Sequence, residues 1–311
     1  MKVILLLALY LLTFDLFAEE STDKIKIIWG RTDFPPGFIL EGKYQGLGYG
    51  DRLNEFMSNS LDEFEHQSMI YPNFARLIKE IHQGKDSVVC TSTLFYRPPA
   101  ERGGIKGKQL LSAPNFVFFL HDIIVKKSKR HLYADVVSLK KILANQNLKF
   151  GYSRTTGPKS SRIIGDYIGV NKDISTMDVN ERISALGTKK NILVRLAPNM
   201  VGGPMQMLLI DRIDYILEYE FMIDFEAKRL GKEGKFAAIE VQETLNDISL
   251  GAYSCSDTPD GERVIQAINR ILIERRGTEE YKQMLHYLLP KNAGRIERYW
   301  QEHQKILSIN H

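Results

Sequence analysis

Cysteine and long apolar runs are scarce in this sequence, and each shortage excludes a class of protein. The chain of 311 residues has two cysteines, which cannot form a disulfide-rich scaffold. Beyond the first 18 residues, no segment approaches the roughly 20 consecutive apolar residues that a membrane-spanning helix needs. A multi-span membrane protein is therefore excluded.

An excess of charge of one sign is also lacking. Lysine plus arginine number 42 and aspartate plus glutamate number 38, so the formal net charge is only +4. The densest basic run, at 126–130, is typical of a solvated loop, and no nucleic-acid partner is expected. The hydrophobic share of 43% suits a globular protein, and the length predicts about two domains.

The first 18 residues have the features of a secretory signal. Lys2 supplies a positive charge, residues 3–12 are almost wholly apolar, and the small Ala18 precedes two glutamates. We expect residues 1–18 to be removed on export, which leaves a soluble periplasmic protein without membrane insertion. Export permits a disulfide, but spacing alone leaves open whether Cys90 and Cys255 form one or remain two buried thiols.

Strand-like and helix-like segments alternate along the chain. The hydrophobic periodicity and the turn residues predict extended segments at 24–29, 63–70, 86–90, 115–125, 148–152, 191–196, 213–219, 237–241 and 248–254, and helices at 51–60, 73–83, 137–144, 158–168, 205–210, 261–275, 278–288 and 294–307. Repeated β-α-β order predicts mostly parallel sheets with helices on both faces.

Common enzyme motifs are missing. The chain has no His-Glu-x-x-His, and its seven histidines are scattered, so no metal site is expected. Residues 104–109 lack the spacing and the Ser/Thr of a phosphate-binding loop, and residues 151–155 lack the second glycine of a nucleophile elbow. We therefore predict a protein that is not an enzyme and needs no cofactor.

Polar and aromatic residues instead follow several predicted strands. In open α/β sheets, ligands bind beyond the carboxyl ends of the strands, and arginine and helix N-termini favour anionic groups. Taken singly, each arginine is better explained by a surface ion pair and each aromatic by core packing. Their convergence indicates a binding site. The candidates are Asp33, Phe34, Phe38, Ser92, Thr93, Arg97, Arg102, Arg154, Thr155 and Thr156.

Six sequence pieces, taken in order, resemble the family 3 extracellular solute-binding proteins over about residues 24–289. Each piece alone is weakly specific, and the resemblance rests on the occurrence of all six in the family's order. They are I-K-I-I-W-G-R-T-D-F-P-P-G-F at 25–38, G-L-G-Y-G-D at 46–51, the helix, Gly and Asp at 74–86, A-E-R followed by L-S-A-P at 100–114, R-I-D-Y at 212–215, and G-T-E-E-Y at 277–281.

The resemblance implies an α/β fold of the type 2 periplasmic-binding kind. Two mostly parallel sheets, each flanked by helices, form two lobes that are joined by two crossover strands, near 115–125 and 236–241. The first lobe would comprise 19–120 and 242–311, and the second lobe 121–241. A small solute would be trapped when the lobes close by a hinge motion.

The resemblance also implies roles for single residues. Ser92, Thr93 and Arg102 would hold a ligand carboxylate, with Arg97 as the alternative because this loop is longer than in typical amino-acid binders. Arg154-Thr155-Thr156 replaces the family's Gly-Thr-Thr. The family's ammonium-binding aspartate falls at Tyr219, and the adjacent Glu218 would point to the opposite face of its strand. The absence of this aspartate argues against an ordinary α-amino acid, while the resemblance as a whole implies a small, polar, carboxylate-bearing ligand that is amino-acid-like.

Both cysteines fall in the first lobe of the implied fold, on strands that can be neighbours, so the resemblance predicts a Cys90–Cys255 disulfide. The predicted function is that of a monomeric periplasmic solute-binding protein that serves an ABC permease or a membrane sensor. Two alternatives stay open: a stand-alone sensory ligand-binding module, and a dehydratase-like enzyme with Glu218 or Glu220 as general base.

Overall fold

The computed structural model describes five stretches of the chain. These are residues 24–84, 87–95, 109–152, 158–194 and 201–309. The predicted signal segment at 1–18 lies outside them. Within these stretches, none of the helices combines the length and the apolar character that crossing a bilayer requires.

The first sheet has five strands in the order β2-β1-β3-β11-β4. The strands are β1 (Lys26–Arg31), β2 (Glu65–Ile70), β3 (Val88–Phe95), β4 (Gln109–Phe119) and β11 (Ile248–Ser256). β1 pairs in parallel with β2 and β3, whereas β11 is antiparallel to both β3 and β4. The parallel half of this sheet is the part that the β-α-β pattern predicted.

The second sheet has six strands in the order β6-β10-β5-β9-β7-β8. The strands are β5 (Asp122–Lys126), β6 (Val136–Val137), β7 (Phe150–Tyr152), β8 (Ile192–Val194), β9 (Tyr215–Glu218) and β10 (Phe236–Val241). β7 is parallel to β8 and β9, and β10 is parallel to β6. β5 is antiparallel to both β9 and β10, because it enters this sheet from the other one.

The chain passes between the sheets at two places, the first within the run predicted at 115–125 and the second after the segment predicted at 236–241. The extended run predicted at 115–125 is two strands, since β4 ends in the first sheet at Phe119 and β5 begins in the second at Asp122. The predicted second crossover at 236–241 is β10 itself, and the chain crosses at 242–247. The predicted lobe boundaries stay a proposal.

Helices cover both sheets. They are α1 (Tyr49–Ser60), α2 (Phe74–Gln83), α3 (Leu139–Ala144), α4 (Pro158–Ile168), α5 (Val179–Leu186), α6 (Gly202–Leu209), α7 (Glu220–Arg229), α8 (Pro259–Arg275), α9 (Glu279–Met284) and α10 (Ala293–Ile306). The sequence did not predict α5 and α7. Charge could have indicated α7, because Glu220 lies in its first turn and Lys228 and Arg229 in its last.

Four clusters of buried apolar side chains, two against each sheet, hold the described sheets and helices together. The first contains Trp29 and Leu53 together with Ile268, Tyr281 and Tyr299 from the last three helices, so the C-terminal tail returns to the first sheet. The second core is built around β7 and β9 and continues into α3, α4 and α5. Both faces of each sheet are therefore covered, as the predicted fold class requires, and the first cluster also takes in Tyr219 and Met222 beside the second sheet.

The two cysteines form the predicted disulfide. Cys90 of β3 and Cys255 of β11 lie opposite each other in neighbouring antiparallel strands, with their Cα atoms 4.1 Å apart. Both residues are fully buried. The bond therefore joins the β-α-β part of the first sheet to the strand that returns from the second.

The basic run at 126–130 is paired locally. Lys126 Nζ and Lys129 Nζ each lie 2.9 Å from a carboxylate oxygen of Asp211, and Arg130 lies 2.6 Å from Asp135. These ion pairs are partly exposed. They agree with the interpretation of the run as a solvated surface segment.

A cluster of one arginine and three carboxylates lies beside the crossovers. Arg295 Nη1 donates to Asp122 Oδ2 at 2.8 Å and lies 3.1 Å from Glu220 Oε2, while its Nε lies 3.1 Å from Glu240 Oε1. Asp122 is only 3% exposed. Burial raises the pKa of Asp122 to about 7, although Arg295 opposes this rise, and Glu220 and Glu240 add to it.

Removal of the disulfide should lower the free energy of unfolding by about 2–5 kcal/mol, because the bond closes a loop of 165 residues in the unfolded chain. The double variant C90A/C255A, unfolded in urea, measures the loss. Wild type that has been reduced should match the double variant. Equal stability of oxidised and reduced wild type would contradict the expectation.

Asp122 should make the protein less stable as the pH rises. Its pKa is higher in the folded chain than in the unfolded chain, so between about pH 4 and 7 folding takes up a proton, and stability is lost as pH approaches 7. The loss should be on the order of 1 kcal/mol per pH unit. Urea unfolding of D122N from pH 5 to 8 should lack this slope, and the exposed-site control D260N should keep it.

Candidate functional site

The loop after β1 is organised by one buried carboxylate. Asp51, at the start of α1, accepts hydrogen bonds from the backbone N–H groups of Ile39 at 2.9 Å and Gly48 at 3.2 Å. Arg31 Nε lies 3.4 Å from the other oxygen of Asp51. Burial raises the pKa of Asp51, and these hydrogen bonds and Arg31 oppose the rise. Asp51 therefore connects both ends of the loop to the helix.

The same loop folds back on itself so closely that glycine is required. Phe34 and Phe38 exchange backbone hydrogen bonds of 3.1 and 3.0 Å, and the Pro35–Pro36 bond between them is cis. A Cβ atom at Gly48 would lie 2.3 Å from the carbonyl oxygen of Gly37. The G-L-G-Y-G-D piece of the sequence thus encodes the close approach of α1 to this loop.

A cavity of about 860 Å³ separates this loop from α7 of the second lobe. One wall comes from residues 33–44 and the other from residues 201–231, so the cavity lies between the loop after β1 and the segment that carries α6 and α7. Its lining residues are Asp33, Phe34, Pro35, Ile39, Glu41, Gly42, Lys43, Tyr44, Val201, Met222, Phe225, Glu226, Lys228, Arg229 and Gly231.

The second-lobe wall carries a paired arginine that faces the first lobe. Arg229 donates two hydrogen bonds to Glu226, of 2.7 and 2.6 Å. This bonding raises the pKa of the Arg229 guanidinium, and the negative charge of Asp33 on the opposite wall adds to the rise. Asp33 and Arg229 thus bring opposite charges to the two walls of the cavity.

Aromatic contact also joins the two walls. The rings of Tyr44 and Phe225 meet edge to face with centroids 5.8 Å apart. The ammonium groups of Lys43 and Lys228 lie 5.5 and 5.2 Å from the Tyr44 ring centroid. Such contacts combine apolar area with a preference for cations. The cavity thus offers acidic, basic and aromatic groups to a small polar ligand.

Three of the predicted residues in the first lobe have structural contacts instead of cavity positions. Phe38 is fully buried. Ser92 is also fully buried, and its hydroxyl donates to the carbonyl oxygen of Gly50 at 3.1 Å. Thr93 packs its methyl group towards Gly50, and its shielded hydroxyl has no hydrogen-bond partner among the described residues. Ligand contacts of these three side chains stay predictions.

Glu218 and Tyr219 lie at the end of β9, close to the first crossover. Glu218 is 1% exposed, and its Oε1 accepts a hydrogen bond of 3.0 Å from the backbone N–H of Tyr219. The Tyr219 ring centroid lies 3.9 Å from that of His121, with the rings tilted, and 5.5 Å from that of Phe118 of the first lobe in an edge-to-face contact. An aromatic contact between the lobes therefore occupies the place where the resemblance expected an ammonium-binding aspartate.

The other predicted ligand residues lie outside the described stretches. They are Arg97, Arg102, Arg154, Thr155 and Thr156. Their roles, and the choice between Arg97 and Arg102, stay predictions. Among the side chains that the structure does describe, no group of three or more His, Cys, Asp or Glu is arranged to hold a metal ion.

The far wall of the cavity has no clear signal in the sequence. Tyr44 lies in a turn-rich segment without a binding motif, and Phe225, Glu226 and Arg229 belong to α7, which was not predicted. The acidic first turn and basic last turn of α7 could have revealed the helix. They could not have revealed that it faces the loop after β1.

Loss of the Asp51 carboxylate should loosen the cavity wall. In D51A, the buried N–H groups of Ile39 and Gly48 lose their acceptor, which should cost about 2–4 kcal/mol of stability. The matched control is E55A, an exposed position one turn later on α1. Urea unfolding of both variants checks the expectation, and equal stabilities would contradict it.

Comparison with known proteins finds likeness in structure only. No family model and no curated protein sequence matches the chain. Among solved structures, substrate-binding domain 2 of GlnP from Lactococcus lactis, in an open conformation, superposes with a TM-score of 0.54 at 13% identity, over 88% of this chain and 98% of that one.

Two further structures have the same arrangement. The probable amino-acid ABC transporter extracellular-binding protein ytmK of Bacillus subtilis has a TM-score of 0.53 at 14% identity, and covers 86% of this chain and 99% of its own. The GluR0 ligand-binding core in complex with L-glutamate has a TM-score of 0.53 at 12% identity, and covers 85% and 99%. The chain therefore has the two-lobed α/β fold of periplasmic-binding proteins of type 2.

Proposed function

We propose that this protein is an exported solute-binding protein that closes two lobes over a small, polar, carboxylate-bearing ligand resembling an amino acid. One observation carries the proposal: the cavity of about 860 Å³ has one wall from each lobe. A site of this volume suits a small molecule. A ligand that contacts both walls would bind the closed arrangement of the lobes more tightly than the open one, and would therefore shift the protein towards the closed arrangement.

The charges around the cavity support a ligand that carries charge itself. Asp33 and Glu41 on one wall can attract an ammonium group, and Arg229 and Lys228 stand opposite. The ligand carboxylate is assigned to Arg102 or Arg97 in the first lobe, with Arg154, Thr155 and Thr156 closing from the second. The rings of Phe34 and Tyr44 supply apolar contact.

The comparisons support the amino-acid-like ligand by analogy. One structural neighbour holds L-glutamate, and another is described as an amino-acid ABC transporter's binding protein. We propose a periplasmic location after removal of residues 1–18, a monomeric state, and delivery of the ligand to an ABC permease or a membrane sensor.

Glu218 and Glu220 are the candidate general bases of a dehydratase-like enzyme, and their positions favour a binding role over catalysis. Glu220 is held by Arg295 at 3.1 Å, beside the crossovers and away from the cavity. Glu218 is almost fully buried, and one of its oxygens accepts the backbone N–H of Tyr219. Neither carboxylate lines the cavity, so neither is placed to remove a proton from a ligand bound there.

Ligand binding should stabilise the mature protein against heat and urea. We expect at least one compound from a panel of amino acids, amines, organic acids and short peptides to act, and at about 100 times its dissociation constant it should add about 2.7 kcal/mol. Mass spectrometry of the purified protein tests for a ligand that is already bound. No stabilising compound together with no co-purifying ligand would refute the proposal.

Single arginine variants should then locate the carboxylate contact. Loss of the arginine that binds it should weaken affinity about ten- to a hundredfold, the effect of one charged hydrogen-bond pair. R97A, R102A and R154A are compared by calorimetric titration. The matched control is R270A, whose exposed side chain pairs with Glu63 on the surface. If all four variants bind as wild type does, the assignment is wrong.

A further inference from the structure

The last helix is firmly anchored in the first lobe. Tyr299 and Ile306 of α10 are buried in the first core. His303 Nε2 lies 3.0 Å from the carbonyl oxygen of Arg276, and the Arg276 guanidinium donates to the carbonyl oxygens of Leu307 and Ile309 at 3.0 and 2.9 Å. The C-terminal half of α10 thus belongs to the body of the first lobe.

The first turn of the same helix instead contacts the second lobe. The three carboxylates around Arg295 all come from there: Asp122 is the first residue of β5, Glu220 is the first residue of α7, and Glu240 is near the end of β10. Arg295 is largely buried, with 13% of its side chain exposed. This guanidinium therefore bridges the two lobes.

Neighbouring contacts fasten the same turn to the crossovers. The guanidinium groups of Arg295 and Arg298 lie 5.0 and 4.8 Å from the ring centroid of Phe119, the last residue of β4. Arg298 also donates to the carbonyl oxygen of Leu245 in the second crossover. Just before the helix, Lys291 pairs with Asp224 of α7. Both crossovers are thereby tied to one helical turn.

We propose that α10 is a strap across the hinge, and that Arg295 is the positioning residue that sets how far the two lobes can open. A rotation about 120–121 and 242–247 moves Asp122 and Glu240 away from a helix that stays with the first lobe. Such a rotation separates buried opposite charges, which is strongly unfavourable unless water replaces each partner. The strap therefore favours the arrangement seen here without any ligand.

The distance between the lobes tests the proposal directly. Spin labels are placed on cysteines introduced at two exposed residues, Ser184 of α5 in the second lobe and Gln266 of α8 in the first, with the native disulfide kept oxidised. Pulsed electron resonance then gives the distribution of label distances. We expect a narrow distribution in wild type and a broader one, extending to longer distances, in R295A.

Two variants separate this role from a general contribution to stability. R295K keeps the positive charge and should restore most of the narrow distribution. K305A removes an exposed charge that pairs with Glu302 within α10, and it should leave the distribution unchanged. If R295A is folded and its distances match those of wild type, the strap does not set the opening and the proposal is wrong.

If R295A does not fold, the double variant D122N/E240Q replaces it, because it keeps the side-chain shapes and removes two of the three negative partners. A broadened distribution in that variant supports the proposal, and a wild-type distribution overturns it. The measurement uses no ligand. A negative result with the ligand panel therefore refutes the binding function alone, and a negative result with the label distances refutes the role of α10 alone.

Discussion

The pairing of Arg295 with Asp122, Glu220 and Glu240 is the interaction on which the arrangement of this protein depends. A buried charge is costly unless an opposite charge and hydrogen bonds compensate it. Here one guanidinium pairs with three carboxylates at the place where the chain twice passes between its sheets, and this excess of acidic groups adds to the raised pKa of Asp122. The two lobes thus meet around carboxylates whose positive partner is present only while α10 stays in place.

The cavity wall of the first lobe does not depend on such long-range contacts, because contacts between residues close in sequence form it. Asp51 satisfies two N–H groups of a loop that begins immediately after β1, and Gly48 permits the loop to approach its own helix. A wall made in this way is largely formed before any ligand arrives. Less ordering is then needed on binding, which favours affinity.

The opposite wall is supplied by α7, and the same helix links the cavity with the hinge. Its first residue, Glu220, pairs with Arg295, whereas Phe225, Glu226 and Arg229 further along line the cavity. Movement of the second lobe must therefore change the cavity and the charge cluster together, because a single rigid helix carries both. Tyr219, directly before α7, adds an aromatic contact with Phe118 between the lobes.

Much of the fold was predictable because its signals are local. Alternating strand and helix patterns indicated both sheets, and the glycine-rich piece at 46–51 indicated the start of a helix. The resemblance supplied the two lobes and the Cys90–Cys255 bond. The second crossover was predicted less well, because 236–241 is a strand of the second sheet and the chain changes sheet only after it, at 242–247.

The chain alone determined which segments become strands and helices, since periodicity acts over a few residues. Only the tertiary structure decided which distant side chains meet. Arg295 lies 173 residues from Asp122 in sequence and 75 from Glu220, and nothing in the local pattern around any of them indicates the others. Such contacts exist because packing the last helix on the first lobe brings its first turn to the hinge.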